Sequence, residues 1–206
     1  MIAVIDYGLG NLYSIGRSLD YIGAAHVISR DVQTIIAADK LILPGVGAFR
    51  DAIKLLEETG LADVIKERAA AGVPLMGICL GMQLLFDKSF EYGTYAGLGL
   101  INGAVCPIEA DLQVPIKVPQ IGWNSLSFHR ASYLTRFISE GDYVYYVHSY
   151  YAKECEAAIV ASSEYGVRIP GIVASGNVSG CQFHPEKSGG VGLAILRAFA
   201  TGEEAC

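Results

Sequence analysis

Apolar residues recur along the first 86 positions in two alternating rhythms. Short runs of strand length, at residues 2–6, His26–Ser29, Lys40–Leu43 and residues 73–78, are separated by stretches in which apolar side chains return at helical spacing. Leu12, Ile15, Leu19 and Ile22 form one such stretch before Gly23, and Asn11, after the turn glycines Gly8 and Gly10, is placed to cap it. Asp31 is placed to cap a helical turn running to Ala38. Residues 48–58 and 61–71 read as two more helices, parted by Gly60 and ended by Gly72. Strand and helix in regular alternation predict an α/β fold, with a mostly parallel central sheet and helices on both faces.

From residue 98 the rhythm changes. β-prone runs at residues 99–105, 116–118, 125–128, 143–150, 157–161 and 172–174 are broken by turns such as Glu164, Tyr165, Gly166 and Ser175, Gly176, Asn177. They predict antiparallel strands or hairpins added to the sheet in the second half. Residues 178–183 form a further strand, and residues 192–199 a closing helix with Leu193, Leu196 and Ala200 on one face. No linker, internal repeat or charge block interrupts the pattern, so one domain is expected over residues 1–206.

Composition narrows the partners. With 52% hydrophobic and 17% charged residues in 206, a well-filled core is expected. A net charge of -6 and the lack of a basic face argue against nucleic acid or an anionic membrane as partner. There is no run of roughly 18 apolar residues to span a bilayer, and no basic start followed by an apolar core, so a cytoplasmic protein is expected. The five cysteines, Cys79, Cys106, Cys155, Cys181 and Cys206, form no CxxC pair and are odd in number. Reduced thiols fit them better than a zinc knuckle or a disulfide framework, and no metal or other cofactor is expected.

The strand at residues 73–78 runs into Gly77, Ile78, Cys79, Leu80 and Gly81 and leaves as a helix, a nucleophile-elbow pattern with Cys79 at the turn. The Leu80 amide would then open a helix and point toward a developing oxyanion. Read by itself, Cys79 is equally a small buried hydrophobe beside turn glycines. A second glycine-rich loop, Pro44, Gly45, Val46 and Gly47, follows another strand and either donates amides to the same oxyanion or merely turns the chain. Gly8 and Gly10 lack the third glycine of a dinucleotide fingerprint and no P-loop Lys follows, so a tight βα turn is the better reading there.

A thiol nucleophile needs a base. His26 and His129 stand in polar, unpatterned surroundings, and His148 at a strand end is as well explained by structure as by chemistry. His184 ends the strand at residues 178–183, and Pro185 and Glu186 follow at once, which places an acid where it can orient the imidazole and stabilise its cation. An isolated His-Pro-Glu would be a solvated surface group, but paired with the elbow it completes a Cys79, His184, Glu186 triad suited to acyl transfer.

With Gly77 to Gln83, Pro44 to Gly47 and Gln182 to Lys187 in hand, the chain resembles the class I glutamine amidotransferases from residue 2 to about residue 200. Ile5 to Asn11, Ile121 to Asn124 and Tyr146 to Tyr150 are most similar to a family member that works as a glutaminase subunit. The resemblance implies a flavodoxin-like fold and hydrolysis of glutamine, with ammonia passed through a tunnel to a TIM-barrel cyclase in a heterodimer. Carried over, it makes Cys79 the nucleophile, His184 the base, Glu186 the orienting acid and Gln83 a substrate-binding residue. Leu80, Val46 and Gly47 become the oxyanion hole, completed by a loop peptide that turns when the partner is loaded. Asn11, Pro119, Ile121, Trp123 and Lys187 match partner-interface positions. Core packing is an equal reading of Trp123, the one tryptophan. Gln120 stands where the family is expected to carry histidine, which puts any interface or signalling role of that imidazole in doubt. Other readings are a different class I glutaminase subunit, a free-standing cysteine hydrolase and a catalytically silent binding protein.

Overall fold

In a computed structural model that describes residues 1–202, the first eight elements keep the alternation of the sequence. They are β1 (Ile2–Ile5), α1 (Leu12–Tyr21), β2 (His26–Ser29), α2 (Val32–Ile36), β3 (Lys40–Leu43), α3 (Phe49–Glu58), α4 (Leu61–Ala70) and β4 (Leu75–Ile78). After Cys79 come α5 (Leu80–Gln83), β5 (Phe86–Ser89), β6 (Tyr95–Ala96) and β7 (Ile101–Pro107). The remainder is β8 (Gln120–Ser125), β9 (Ser127–Phe128), β10 (Tyr143–His148), β11 (Tyr150–Lys153), β12 (Ile159–Glu164), β13 (Arg168–Ser175), β14 (Val178–Cys181) and α6 (Gly189–Thr201). Cys206 lies outside the described residues.

The central sheet has the order β2-β1-β3-β4-β14-β13-β12-β9. Strands β2 to β14 of that order run parallel, and β13, β12 and β9 continue it antiparallel. Its inner strands β1, β4 and β14 are buried on both faces, as continuous apolar runs require, whereas the edge strand β2 is only half-buried. Successive side chains of β1 divide between two cores. Ala3 and Ile5 join the side packed by α2, α3 and α4, whereas Ile2 and Val4 join the side packed by α1 and α6. Asp31 caps α2 by accepting the Thr34 amide at 2.8 Å.

The structure departs from the sequence pattern in four places. The helix after Cys79 stops at Gln83, because the carbonyls of Leu84 and Leu85 accept amides from Leu98 and Leu100 at 2.8 Å and the apolar run turns into β5. Residues 116–118 form no strand. Pro115 and Pro119 bracket them, and proline supplies no ladder donor, so pairing begins at Gln120. The added strands do not all join the central sheet: β8 and β10 make a separate ribbon, and β11-β7-β5-β6 a four-stranded sheet. Finally, the Asn11 side chain does not cap α1; it reaches Glu186 instead.

Candidate active site

Three neighbouring parallel strands, β3, β4 and β14, end at one edge of the sheet, where ligand sites of open α/β sheets gather. From β3 the chain enters the loop at residues 44–48, from β4 it reaches Cys79, and from β14 it reaches Gln182 and His184. Residues separated by some hundred positions meet because their strands are hydrogen-bonded neighbours. The Cys79 amide extends the pairing by donating to the Cys181 carbonyl at 2.7 Å. Cys79 itself turns at φ 54° and ψ -113°, a conformation that an L side chain adopts at a cost of about 1–3 kcal/mol. Only glycine fits around it. A Cβ on Gly81 would stand 1.9 Å from the Leu43 carbonyl oxygen, and one on Gly45 would stand 2.6 Å from the Gly81 nitrogen. The loop after β3 is thereby seated on the elbow.

His184 is 3% exposed. Its Nδ1–H donates to Glu186 Oε1 at 2.8 Å, which leaves Nε2 as the nitrogen available to the Cys79 thiol. Its backbone is pinned too, with the amide donating to the Tyr145 carbonyl at 3.0 Å and the carbonyl accepting from Ser188 Oγ at 2.7 Å. Burial alone would depress the imidazole, but its bonds to Cys79 and Glu186, and their charges, outweigh that and raise it to about 10. The proton therefore sits on the ring at neutral pH, the state that pairs with a thiolate. The Glu186 side chain is fully enclosed. Its Oε1 also accepts from Asn11 Nδ2 at 3.4 Å, and its Oε2 has no partner among the described residues.

The elbow opens on a cavity of about 430 Å3, within the range of small-ligand sites. Cys79, His184, Leu80, Gln83, Val46 and Gly47 all border it, as do Pro119 and Lys187. Gln83 is held by two bonds from its Nε2, to the Tyr150 carbonyl and to Gln182 Oε1, both 3.0 Å. The Gln182 amide in turn stands 3.9 Å from Cys79 Sγ. Tyr7, whose hydroxyl donates to the Pro44 carbonyl at 3.0 Å, supports the loop from below, and burial together with the charge of Cys79 pushes its phenol up.

Ile121 and Trp123 project from β8, 61% and 55% exposed, which rules out core packing for Trp123. The Trp123 ring meets Tyr145 edge-on with centroids 6.0 Å apart. Gln120, which precedes them on β8, is buried. His148 donates from Nδ1 to the Tyr150 carbonyl at 2.8 Å, and burial depresses it to about 4. Gln120 Oε1 stands 3.0 Å from His148 Nε2; a neutral ring donating from Nδ1 offers Nε2 as an acceptor, so a hydrogen bond there needs the Gln120 amide turned over to bring its NH2 group to the ring. His148 is a buried structural histidine at the cavity wall.

Glu91 and Tyr92 also border the cavity, and the sequence pattern did not single them out. The only signal was an acid just before a turn, Glu91, Tyr92, Gly93, in a stretch whose strands are too short for periodicity. Burial pushes the Glu91 carboxyl up, and the bond it accepts from the Phe49 amide opposes that.

A larger cleft of about 640 Å3 lies beside Arg130 and Cys155. Arg130 donates there to the Ala158 and Ala174 carbonyls, and burial pushes the Cys155 thiol up to about 12. Among the described residues no helix is long and apolar enough to cross a membrane, and no cluster of His, Cys, Asp or Glu is arranged to hold a metal ion.

Residues 3–201 match the family described as Glutamine amidotransferase class-I. The chain is 52% identical over 210 residues to the imidazole glycerol phosphate synthase subunit HisH of Geobacillus thermodenitrificans, covering 99% of this chain and 98% of that one. It is 49% identical to the same-named subunit of Bacillus cereus strain G9842, over 97% of this chain and 93% of the relative. Among solved structures, one described as a glutamine amidotransferase superposes with a TM-score of 0.75 at 20% identity, covering 98% and 99% of the two chains. A chain of PurLQS from Thermotoga maritima gives 0.72 at 20% identity, over 97% of each chain. These two are likenesses of fold.

Proposed function

This chain belongs to the class I glutamine amidotransferase family, and on that premise we propose that it is the glutamine-hydrolysing subunit of imidazole glycerol phosphate synthase, in histidine biosynthesis. The observation that carries the reading is Cys79, held at a strained strand-to-helix turn against His184 and Glu186. Cys79 is the nucleophile. Its thiolate attacks the side-chain carbonyl of glutamine, and the oxyanion is met by the Leu80 amide and an amide of the Val46–Gly47 segment. His184 gives its Nε2 proton to the leaving nitrogen, ammonia departs, and a thioester remains. His184 then takes a proton from water, which attacks the thioester, and glutamate leaves as the thiolate returns. Glu186 holds the ring in the tautomer both steps need.

Glutamine arrives as a zwitterion, so the cavity must receive an ammonium. Glu91 is the acid on its wall, and its Oε1 takes no hydrogen bond from the described residues, so it is the group for that charge. Gln83 borders the substrate from the elbow side.

Relatives carry the name of a synthase subunit, so a partner subunit belongs to the reading. We take that partner to be a TIM-barrel cyclase, forming a cytoplasmic heterodimer in which ammonia passes through a tunnel. The cyclase makes imidazole glycerol phosphate and an aminoimidazole carboxamide ribotide. Pro119, Ile121, Trp123 and Lys187 supply the docking face. Asn11, also expected there, has its amide committed to Glu186, so it ties that face to the triad.

The reading is tested by measuring glutamate and ammonia release with the chain alone and with the loaded cyclase. Hydrolysis that rises severalfold or more in the complex is expected; a wild-type complex that leaves glutamine intact overturns it. Trp123→Ala removes a large exposed anchor, and partner affinity is expected to fall by roughly tenfold or more. Titration of the variant with the cyclase checks this, and an unchanged Kd would place the interface elsewhere.

A further inference from the structure

The loop that must supply the second oxyanion amide is fastened at both ends and free between them. At its start Gly45 is wedged on the elbow, with no room for a side chain. At its end the Phe49 amide, which opens α3, donates to Glu91 Oε2 at 2.6 Å. Glu91 is 8% exposed and Phe49 is fully buried, so this bond is shielded from water. The backbone that carries this carboxylate is held in turn, the Glu91 amide donating to Ser89 Oγ at 3.1 Å. Between the two fixed points Val46 is 40% exposed. Gly47 turns at φ 95° with nothing within 4 Å of where a Cβ would stand. Glycine gives that peptide the widest backbone freedom in the loop, and the fixed points on either side limit where it can be carried.

We infer that Glu91 is a positioning residue for the oxyanion loop: one carboxylate oxygen anchors the Phe49 amide while the other faces the substrate ammonium. The inference rests on the glutaminase reading, and adds that the group sensing the bound amino acid also sets the geometry of the donor that stabilises its tetrahedral intermediate. Substrate occupancy and loop position are coupled through a single side chain 42 residues from its anchor point. The physical lever is short. Moving an anchored donor by about 1 Å can cost on the order of a hundredfold in rate.

Two conservative changes separate the roles. Glu91→Gln keeps an oxygen at the same reach for the Phe49 amide and removes the negative charge. Glu91→Asp keeps the charge and withdraws the oxygen by one methylene. In the complex with the cyclase, Glu91→Gln is expected to raise KM for glutamine about tenfold with kcat within about twofold of wild type. Glu91→Asp is expected to lower kcat about tenfold or more with a smaller change in KM. Amide hydrogen exchange supplies an independent readout: the peptide containing Phe49 loses protection in Glu91→Asp and keeps it in Glu91→Gln. A wild-type complex that hydrolyses glutamine, with both variants changed in KM alone and Phe49 equally protected, overturns the anchoring role. Failure of the glutaminase reading shows separately, as an inactive wild type.

Discussion

Cys79→Ala is expected to lower glutamine hydrolysis by about 10⁴-fold or more, because the proposed mechanism has no covalent route without the Cys79 thiolate. Synthase turnover driven by added ammonium salt is expected to persist, since that route bypasses the elbow. The contrast between the two nitrogen sources is the measurement, and glutamine-driven turnover near wild type would remove Cys79 from the mechanism. A stability readout accompanies it. Alanine at φ 54° inherits the strain that cysteine bears, whereas glycine relieves it. Cys79→Gly is therefore expected to unfold at a higher temperature than Cys79→Ala, by the few degrees that about 1 kcal/mol gives a chain of this size. Equal melting temperatures would show that the turn stores no strain.

The parallel half of the fold was legible because its inner strands β1, β3 and β4 are short apolar runs, largely buried on both faces, and helices such as α1 and α3 are amphipathic, so each element carries its own pattern. Lys40–Leu43 and Leu75–Ile78 with their glycine loops announced the sheet edge where the site lies. That Cys79, His184 and Glu186 come together was legible for a second reason: each sits in a local motif whose residue types have few other uses together. What was hidden is long-range. The turn of Leu84 and Leu85 into β5 depends on amides from residues 98–100, which no window around the elbow contains. The bond from Phe49 to Glu91, the reach of Asn11 to Glu186 and the seating of His148 on Gln120 join residues far apart in sequence. Asn11 is instructive: residue type and position both suited a helix cap, and a buried carboxylate competed successfully for its amide.

Glu186→Gln is expected to have the second largest effect, and its sign with pH follows from His184. In the wild type, Cys79 and Glu186 hold the imidazole at about 10 against burial, which would lower it. Glutamine at 186 still accepts the Nδ1 proton but no longer offers a charge to the imidazolium, so the ring loses its proton at lower pH. The form with thiolate and imidazolium together then ends sooner as pH rises. The alkaline limb of kcat/KM should move down from near 10 toward neutrality, and the rate at pH 7 to 8 should fall on the order of a hundredfold. Stability changes in the same direction. A folded-state value raised above the ordinary 6.5 contributes stability that is complete below 6.5 and disappears as pH climbs through about 10. In Glu186→Gln that loss should set in at lower pH, which chemical denaturation measured between pH 6 and 10 will show. An alkaline limb left in place would mean that Glu186 fixes only the tilt of the ring; a shifted limb assigns it the charge that keeps His184 ready to protonate the departing ammonia.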